Sequence, residues 1–273
     1  VPSAFDLVIT STANPRVKEL VRIRRRRHRD RSGAILVEGF DELALAVRSG
    51  ARPRSVYVCP ELAGEGGAQQ RLLASCAEAG SELVSASRAV FEKIAYRGSP
   101  DGWLALLPAV DTDLDRLRLP RDPLVVVCEA VEKPGNLGAI LRTADAAGVA
   151  AVIAAGPVTD WENPNLVRAS KGALFTVPVA EGTAGEVMAW LRRAGIAVVA
   201  TTPDAPRPYT SADLTGPIAI VVGSEQQGLT DTWLAGADLT VHIPMSGLID
   251  SINVATSAAI VAYEAVRQRA AGR

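Results

Sequence analysis

The sequence predicts an α/β protein in two parts: an N-terminal α/β unit and a C-terminal domain built on a parallel sheet. From residue 124 onward, strand-like runs at 124–128, 149–154, 177–179, 196–201, 218–222 and 239–243 alternate with helical segments at 137–147, 164–170, 183–194, 229–235 and 252–269. Such alternation implies a mostly parallel sheet covered on both faces. A shorter alternation of strands and helices fills the first hundred or so residues. Between the two lies 108–123, where Pro108, Pro120 and Pro123 punctuate Asp111, Asp113, Asp115, Arg116, Arg118 and Arg121. A polar, proline-broken stretch of this kind marks a domain boundary. The expected organisation is a first domain over 1–108, a linker over 109–122 and a second domain over 123–273.

In the first part, Asn14-Pro15 suits a helix cap and first position, and Val17, Leu20, Val21 and Arg24 follow at helical spacing. One basic helix is therefore expected over 11–30. Residues 34–37 read as a short buried strand, and 40–47 as a helix closed near Gly50. A strand at 55–59, a helix at 68–79 ending at Gly80, and short strands at 83–84 and 103–107 complete the unit.

Composition limits the function classes. Apolar residues make up 48% and charged residues 22% of the 273, the balance of an ordinary globular chain rather than a disordered one. No apolar run reaches the roughly 18–20 residues of a membrane span, and residues 1–10 show no basic head leading into an apolar stretch. Cys59, Cys76 and Cys128 have no Cys-x-x-Cys spacing, and His28 and His242 are the only histidines. The expectation is three small thiols in a cytoplasmic protein, and no zinc site.

Net charge is −1, but its distribution is uneven: residues 22–31 hold seven arginines in ten positions. The chain has four lysines (Lys18, Lys93, Lys133 and Lys171) against twenty-five arginines. Codon bias accounts for arginine over lysine, not for the clustering. A self-repelling run of this kind is either a solvated helix face or a polyanion contact.

Three segments in the second part carry polar groups that a core has no use for. Each follows an expected strand, where parallel sheets bind ligands. The first holds Asn136-Leu137-Gly138, then Arg142 and Gly148. Asn136 suits a helix cap and Gly148 a helix end. Arg142 is either a surface residue or a contact for anionic oxygens. The second, Gly223-Ser224-Glu225 with Gly228, is a strand running into a glycine turn. Gly223 lets backbone approach a bound group, yet the spacing is neither a Walker loop nor a dinucleotide fingerprint. The third, Ile243-Pro244-Met245 through Ser251-Ile252-Asn253, is an apolar loop before an Ala-rich helix that Ser251 is placed to cap. Apolar loops are usually covered by a ligand or a subunit.

In this order and spacing the segments resemble the three motifs of the SpoU branch of the SPOUT methyltransferases, over residues 124–270. Residues 5–105 look like the small L30e-like RNA-binding domain that often precedes that catalytic domain. Within the family, the antibiotic-resistance ribosomal RNA methyltransferases are the most similar group. The resemblance implies methyl transfer from S-adenosylmethionine to a ribose 2′-hydroxyl of RNA, a catalytic domain with a deep trefoil knot, and an obligate homodimer with active sites near the subunit interface. By position it implies Asn136, Arg142, Glu225, Ser251 and Asn253 as active-site residues. It implies Gly223, Ile243 and Ile252 as cofactor contacts, with Met245 and Leu248 lining the adenine pocket. Gln226-Gln227 and Ile252 depart mildly from the family pattern, and neither removes a reacting group. A transfer RNA methyltransferase and a non-catalytic RNA-binding protein of the same fold are the rival readings. A flavodoxin-like nucleotide enzyme is a third, and its phosphate-cradling loop is missing from the sequence.

Overall fold

The computed structural model describes residues 5–249 and 251–271. The chain forms two compact units: the first runs to Val110 and takes in Asp160–Thr176, and the second comprises Asp111–Thr159 and Val177 onward.

The first unit follows the order β1 (Leu7–Ile9), α1 (Pro15–Ile23), α2 (Arg26–Ser32), β2 (Ala34–Glu38), α3 (Phe40–Arg48), β3 (Ser55–Val58), α4 (Pro60–Ala63), α5 (Gly67–Glu78), β4 (Glu82–Ala86), α6 (Arg88–Ile94) and β5 (Trp103–Pro108). Its five-stranded sheet runs β1-β4-β3-β5-β2. β1, β4 and β3 are parallel, and β5 is antiparallel to both β3 and β2. Val17, Leu20 and Ile23 of α1 and Val90, Phe91 and Ile94 of α6 close one face over Leu36, Val84 and Leu104. Three short elements, β1, α4 and α6, escape the sequence reading, being three, four and seven residues long.

The basic stretch is not one helix. It breaks at Arg25, whose backbone is extended (φ −92°, ψ 131°). Two inward-facing arginines account for the break. Arg24 donates to the carbonyls of Lys93 and Ala95 at 2.9 and 2.6 Å and lies 4.6 Å over the ring of Tyr96. Arg29 is buried and makes a forked contact with Asp160, with Nη2 at 2.8 and 2.9 Å from the two carboxylate oxygens. It also donates to the Arg24 carbonyl at 2.6 Å. A planar guanidinium matched to a carboxylate in this way is strongly directional. Part of the arginine run is therefore internal structure, while Arg22, Arg25, Arg27 and Arg31 stay exposed.

The second unit contains β6 (Leu124–Glu129), α7 (Pro134–Ala147), β7 (Ala151–Ala155), then, after helix α8 (Pro164–Ser170) of the first unit, β8 (Val179–Gly182), α9 (Ala184–Arg193), β9 (Ala197–Thr201), β10 (Ile218–Val222), α10 (Asp231–Gly236), β11 (Leu239–Val241) and α11 (Val254–Ala271). All six strands are parallel, in the order β11-β9-β10-β6-β7-β8. Val125, Val127, Ile153 and Val221 pack on one side against Val187, Leu191 and Trp233 of α9 and α10. α11 packs on α7 and on β6 and β10. The central strands are buried along their whole length, and this covered sheet is why they read as unbroken apolar runs.

All three cysteines are buried and unpaired; burial raises the Cys76 thiol to about 11 and the Cys128 thiol to about 12. Thiols held so far above neutrality are poor nucleophiles. His242 Nδ1 lies 2.7 Å from the Ala205 carbonyl, a local structural bond. Among the described residues no helix is long and apolar enough to cross a membrane, and no group of three or more His, Cys, Asp or Glu is placed to hold a metal ion.

Candidate functional site

β6 and β10 are neighbours in register, Cys128 beside Val222, with β9 on the far side of β10. From β6 the chain moves outward to β7 and β8, then returns to place β9 and β10 on the opposite side. Ligand crevices in parallel sheets open at the carboxyl ends of strands where the order reverses in this way. A cavity of about 450 Å³ lies there, within the second unit. Thr201, the last residue of β9, lines it with Thr202 and Pro203, and Gly223, Ser224 and Glu225 do so after β10. Ile243, Met245, Ser251, Ile252 and Asn253 approach from the loop before α11, with Val254 and Ser257 of that helix. Lys133 completes the wall at the start of α7.

The turn out of β6 is built on Ala130, whose φ of 48° is unusual for a residue with a side chain. Its amide donates to the Ala155 carbonyl at 3.0 Å, which fixes the bend. Lys133 is the N-cap of α7 and Pro134 its first residue, so Asn136 sits inside the first turn and not at the expected cap. Its side chain is thereby free for tertiary contacts. Asn136 Nδ2 donates to Glu225 Oε1, and Asn253 Nδ2 donates to Asn136 Oδ1 at 3.1 Å. Asn253 Oδ1 in turn accepts the amides of Ala255 and Thr256 at 3.0 and 3.4 Å. Asn253, and not Ser251, therefore caps α11. Lys133 Nζ lies 3.7 Å from Glu225 Oε2. The result is a chain of polar contacts from α7 through the β10 turn to α11, at the mouth of the cavity.

The turn itself requires Gly223, which also lines the cavity. A Cβ there would lie 2.2 Å from the carbonyl carbon and oxygen of Gly228. Ser224 and Gly228 exchange backbone hydrogen bonds at 3.1 and 3.0 Å, and Gln227 N donates to Ser224 Oγ at 3.1 Å. This closed turn aims the Glu225 side chain, 21% exposed, at Asn136.

Of the residues singled out from sequence, Asn136, Glu225 and Asn253 meet directly, and Gly223, Ile243, Met245, Ser251 and Ile252 line the cavity. Two do not join them. Arg142 is exposed on α7, outside the cavity lining and a turn and a half beyond Asn136. Leu248 is fully exposed and is not among the residues lining this cavity. Asp250, which belongs to the third segment, lies outside the described residues. Sequence reasoning missed Lys133, Thr201 and Ser257. A retained lysine at a strand-to-helix bend, in a chain that otherwise uses arginine, was the available signal for the first. The Thr201 hydroxyl is buried at the cavity wall without a hydrogen-bond partner.

Residues 123–263 match the SpoU rRNA Methylase family, and residues 14–105 match the MRM3-like substrate binding domain. The 23S rRNA (uridine(2479)-2′-O)-methyltransferase of Streptomyces viridochromogenes is 35% identical over 254 residues, covering 91% of this chain and 88% of that protein. The 23S rRNA (guanosine(2553)-2′-O)-methyltransferase of Bacillus subtilis is 28% identical over 255 residues, covering 93% and 97%. Among solved structures, the SpoU methyltransferase AviRb from Streptomyces viridochromogenes, in complex with the cofactor AdoMet, superimposes with a TM-score of 0.86 at 32% identity, covering 95% of this chain and all of that one. With the family match extending over more than half of its residues, and a relative 35% identical along nine-tenths of its length, this chain belongs to the SpoU rRNA methylase family.

Proposed function

We propose that this protein transfers a methyl group from S-adenosylmethionine to a ribose 2′-hydroxyl of RNA, with 23S ribosomal RNA as the substrate. The observation that carries the reading is the Glu225–Asn136–Asn253 contact at the mouth of a cavity formed at strand ends. The cavity fits such a donor. Its size is within the range of small-molecule sites. Val222, Ile243, Met245, Ile252 and Val254 give an apolar wall for an adenosine, the Thr201 hydroxyl awaits a partner, and Lys133 and Glu225 supply opposite charges at the mouth.

The cofactor supplies a methyl group already activated on a sulfonium, so the protein's task is to position and deprotonate a weak nucleophile. Asn136, held at both ends of its amide, and Asn253 fix the sugar. Glu225 is engaged by Asn136 and Lys133 and acts as an anchor for them rather than as the base. Ser251 donates at the cavity edge. Arg142 holds the neighbouring phosphate and stabilises oxyanion charge, because a neutral guanidine is too costly to serve as base. No metal ion is needed in this reading.

The same reading includes a homodimer. Leu248 at the loop tip and Ile249 (65% exposed) support it, since an uncovered apolar loop calls for a partner surface. Arg142, exposed and outside its own chain's cavity, then serves the partner's site. A trefoil knot belongs to it as well. We take residues 1–108, completed by Asp160–Thr176, as an L30e-like RNA-binding domain joined by 109–122 to the catalytic domain formed by the rest of 123–273, a cytoplasmic enzyme of the ribosomal RNA group with antibiotic resistance as a candidate role. The Streptomyces viridochromogenes relative is named for a uridine and the Bacillus subtilis relative for a guanosine.

The deciding experiment is to map 2′-O-methyl groups in total RNA with and without the protein. A single new mark in 23S RNA is expected; a mark only in transfer RNA, or none, would overturn the assignment. A second expectation concerns the exposed arginines. Changing Arg22, Arg25, Arg27 and Arg31 to glutamine should weaken RNA binding and flatten its salt dependence by up to about three to four in slope. An unchanged slope in a filter-binding titration would remove these residues from the RNA contact.

A further inference from the structure

Lys133 stands at the cavity mouth outside the amide contacts that join Asn136 to Asn253. Its side chain is 70% exposed, and its ammonium lies 3.7 Å from Glu225 Oε2, beyond direct hydrogen-bond distance. The ammonium therefore keeps its donors available. Among the described residues lining the cavity, Lys133 is the cation and Glu225 the anion. Lys133 also caps the N-terminus of the fourteen-residue helix α7, where the helix dipole adds positive potential.

We propose that Lys133 binds the carboxylate at the amino-acid end of S-adenosylmethionine and so selects donors that retain it. This rests on the cofactor reading above. The pairing of charges is what points to an amino acid. A phosphate brought to Lys133 would face the carboxylate of Glu225 at close range, and like charges oppose each other there. A zwitterion offers its carboxylate to Lys133 and its ammonium to Glu225, satisfying both. Lysine suits the task better than the arginine this chain prefers, because a compact ammonium on a flexible stem reaches a single carboxylate without displacing the Asn136–Glu225 contact.

Calorimetric titration of the full chain tests the proposal with three ligands: S-adenosylmethionine, S-adenosylhomocysteine and decarboxylated S-adenosylmethionine. Lys133→Gln should weaken the first two by roughly two- to fivefold, the scale of an exposed ion pair, and leave the third unchanged. Lys133→Arg should recover part of the loss. Equal weakening of all three ligands, or no change in any, would overturn the assignment. An unchanged S-adenosylmethionine affinity with weakened RNA binding would also overturn it and give the residue to a phosphate. Failure of the unsubstituted protein to bind any of the three would instead remove the cofactor reading itself. Lys133 is exposed, so the variant's thermal unfolding should match the parent's, which keeps a folding defect apart from a binding one.

Discussion

Arg142→Ala should lower methyl transfer by a factor of about 10² to 10³, the usual cost of removing one preorganised charge from a developing oxyanion. Cofactor affinity should hardly change, because Arg142 does not line the cavity of its own chain. The two measurements together are diagnostic. A loss confined to turnover fits a residue that meets the RNA near the reacting oxygen, whereas a parallel loss of cofactor affinity would mean that α7 had moved. If Arg142 serves the partner's site, mixing Arg142→Ala with Asn136→Ala should restore activity that neither variant has alone. Near-normal turnover by Arg142→Ala would reject the role, and absence of recovery on mixing would return the arginine to its own subunit.

Asp160→Ala should destabilise the first unit by about 3 kcal/mol, because it strands a buried guanidinium that has lost its counter-charge. The Arg29 side chain is 4% exposed and Asp160 12%, so solvent screens the pair little. The Ile23 and Arg24 carbonyls at 3.3 and 2.6 Å still accept from Arg29, which keeps the expected cost at the lower end of the range for such pairs. Urea denaturation read by fluorescence is suited to it, since Trp103 and Trp161, both 1% exposed, belong to this unit. Asp160→Asn, which retains an acceptor, should lose less. An unchanged midpoint in the alanine variant would show that Arg29 finds enough compensation elsewhere.

The alternation of the second unit was legible in its sequence because the sheet is covered on both faces, and such strands announce themselves as unbroken apolar runs. Helix 164–170 has the expected bounds, with Asn163 accepting from Asn165 N at 3.0 Å as its cap, but it belongs to the first unit and not to the second-unit alternation in which the sequence reading counted it. The first unit was harder. Its short elements carry too few residues to express a period, and α1 and α2 looked continuous because nothing local shows that Arg24 and Arg29 turn inward. Their partners, Tyr96 and Asp160, lie far away in sequence. The three site segments were visible as odd chemistry at strand ends, but not the hydrogen bonds between them. Asn136 and Ser251 both looked like caps; the structure gives one cap to Lys133 and the other to Asn253. Capping is decided by where the first turn closes, and a sequence with several polar residues in a row does not fix that point.

The return of Asp160–Thr176 to the first unit bears on how the protein is made. On the ribosome, the first 110 residues emerge while Arg29 still awaits its acidic partner, Asp160. Its completion is deferred until residue 176 is free, by which time β6, α7 and β7 have already been synthesised. Severing the polypeptide within 111–122 should accordingly yield an incomplete amino-terminal fragment rather than an autonomous module.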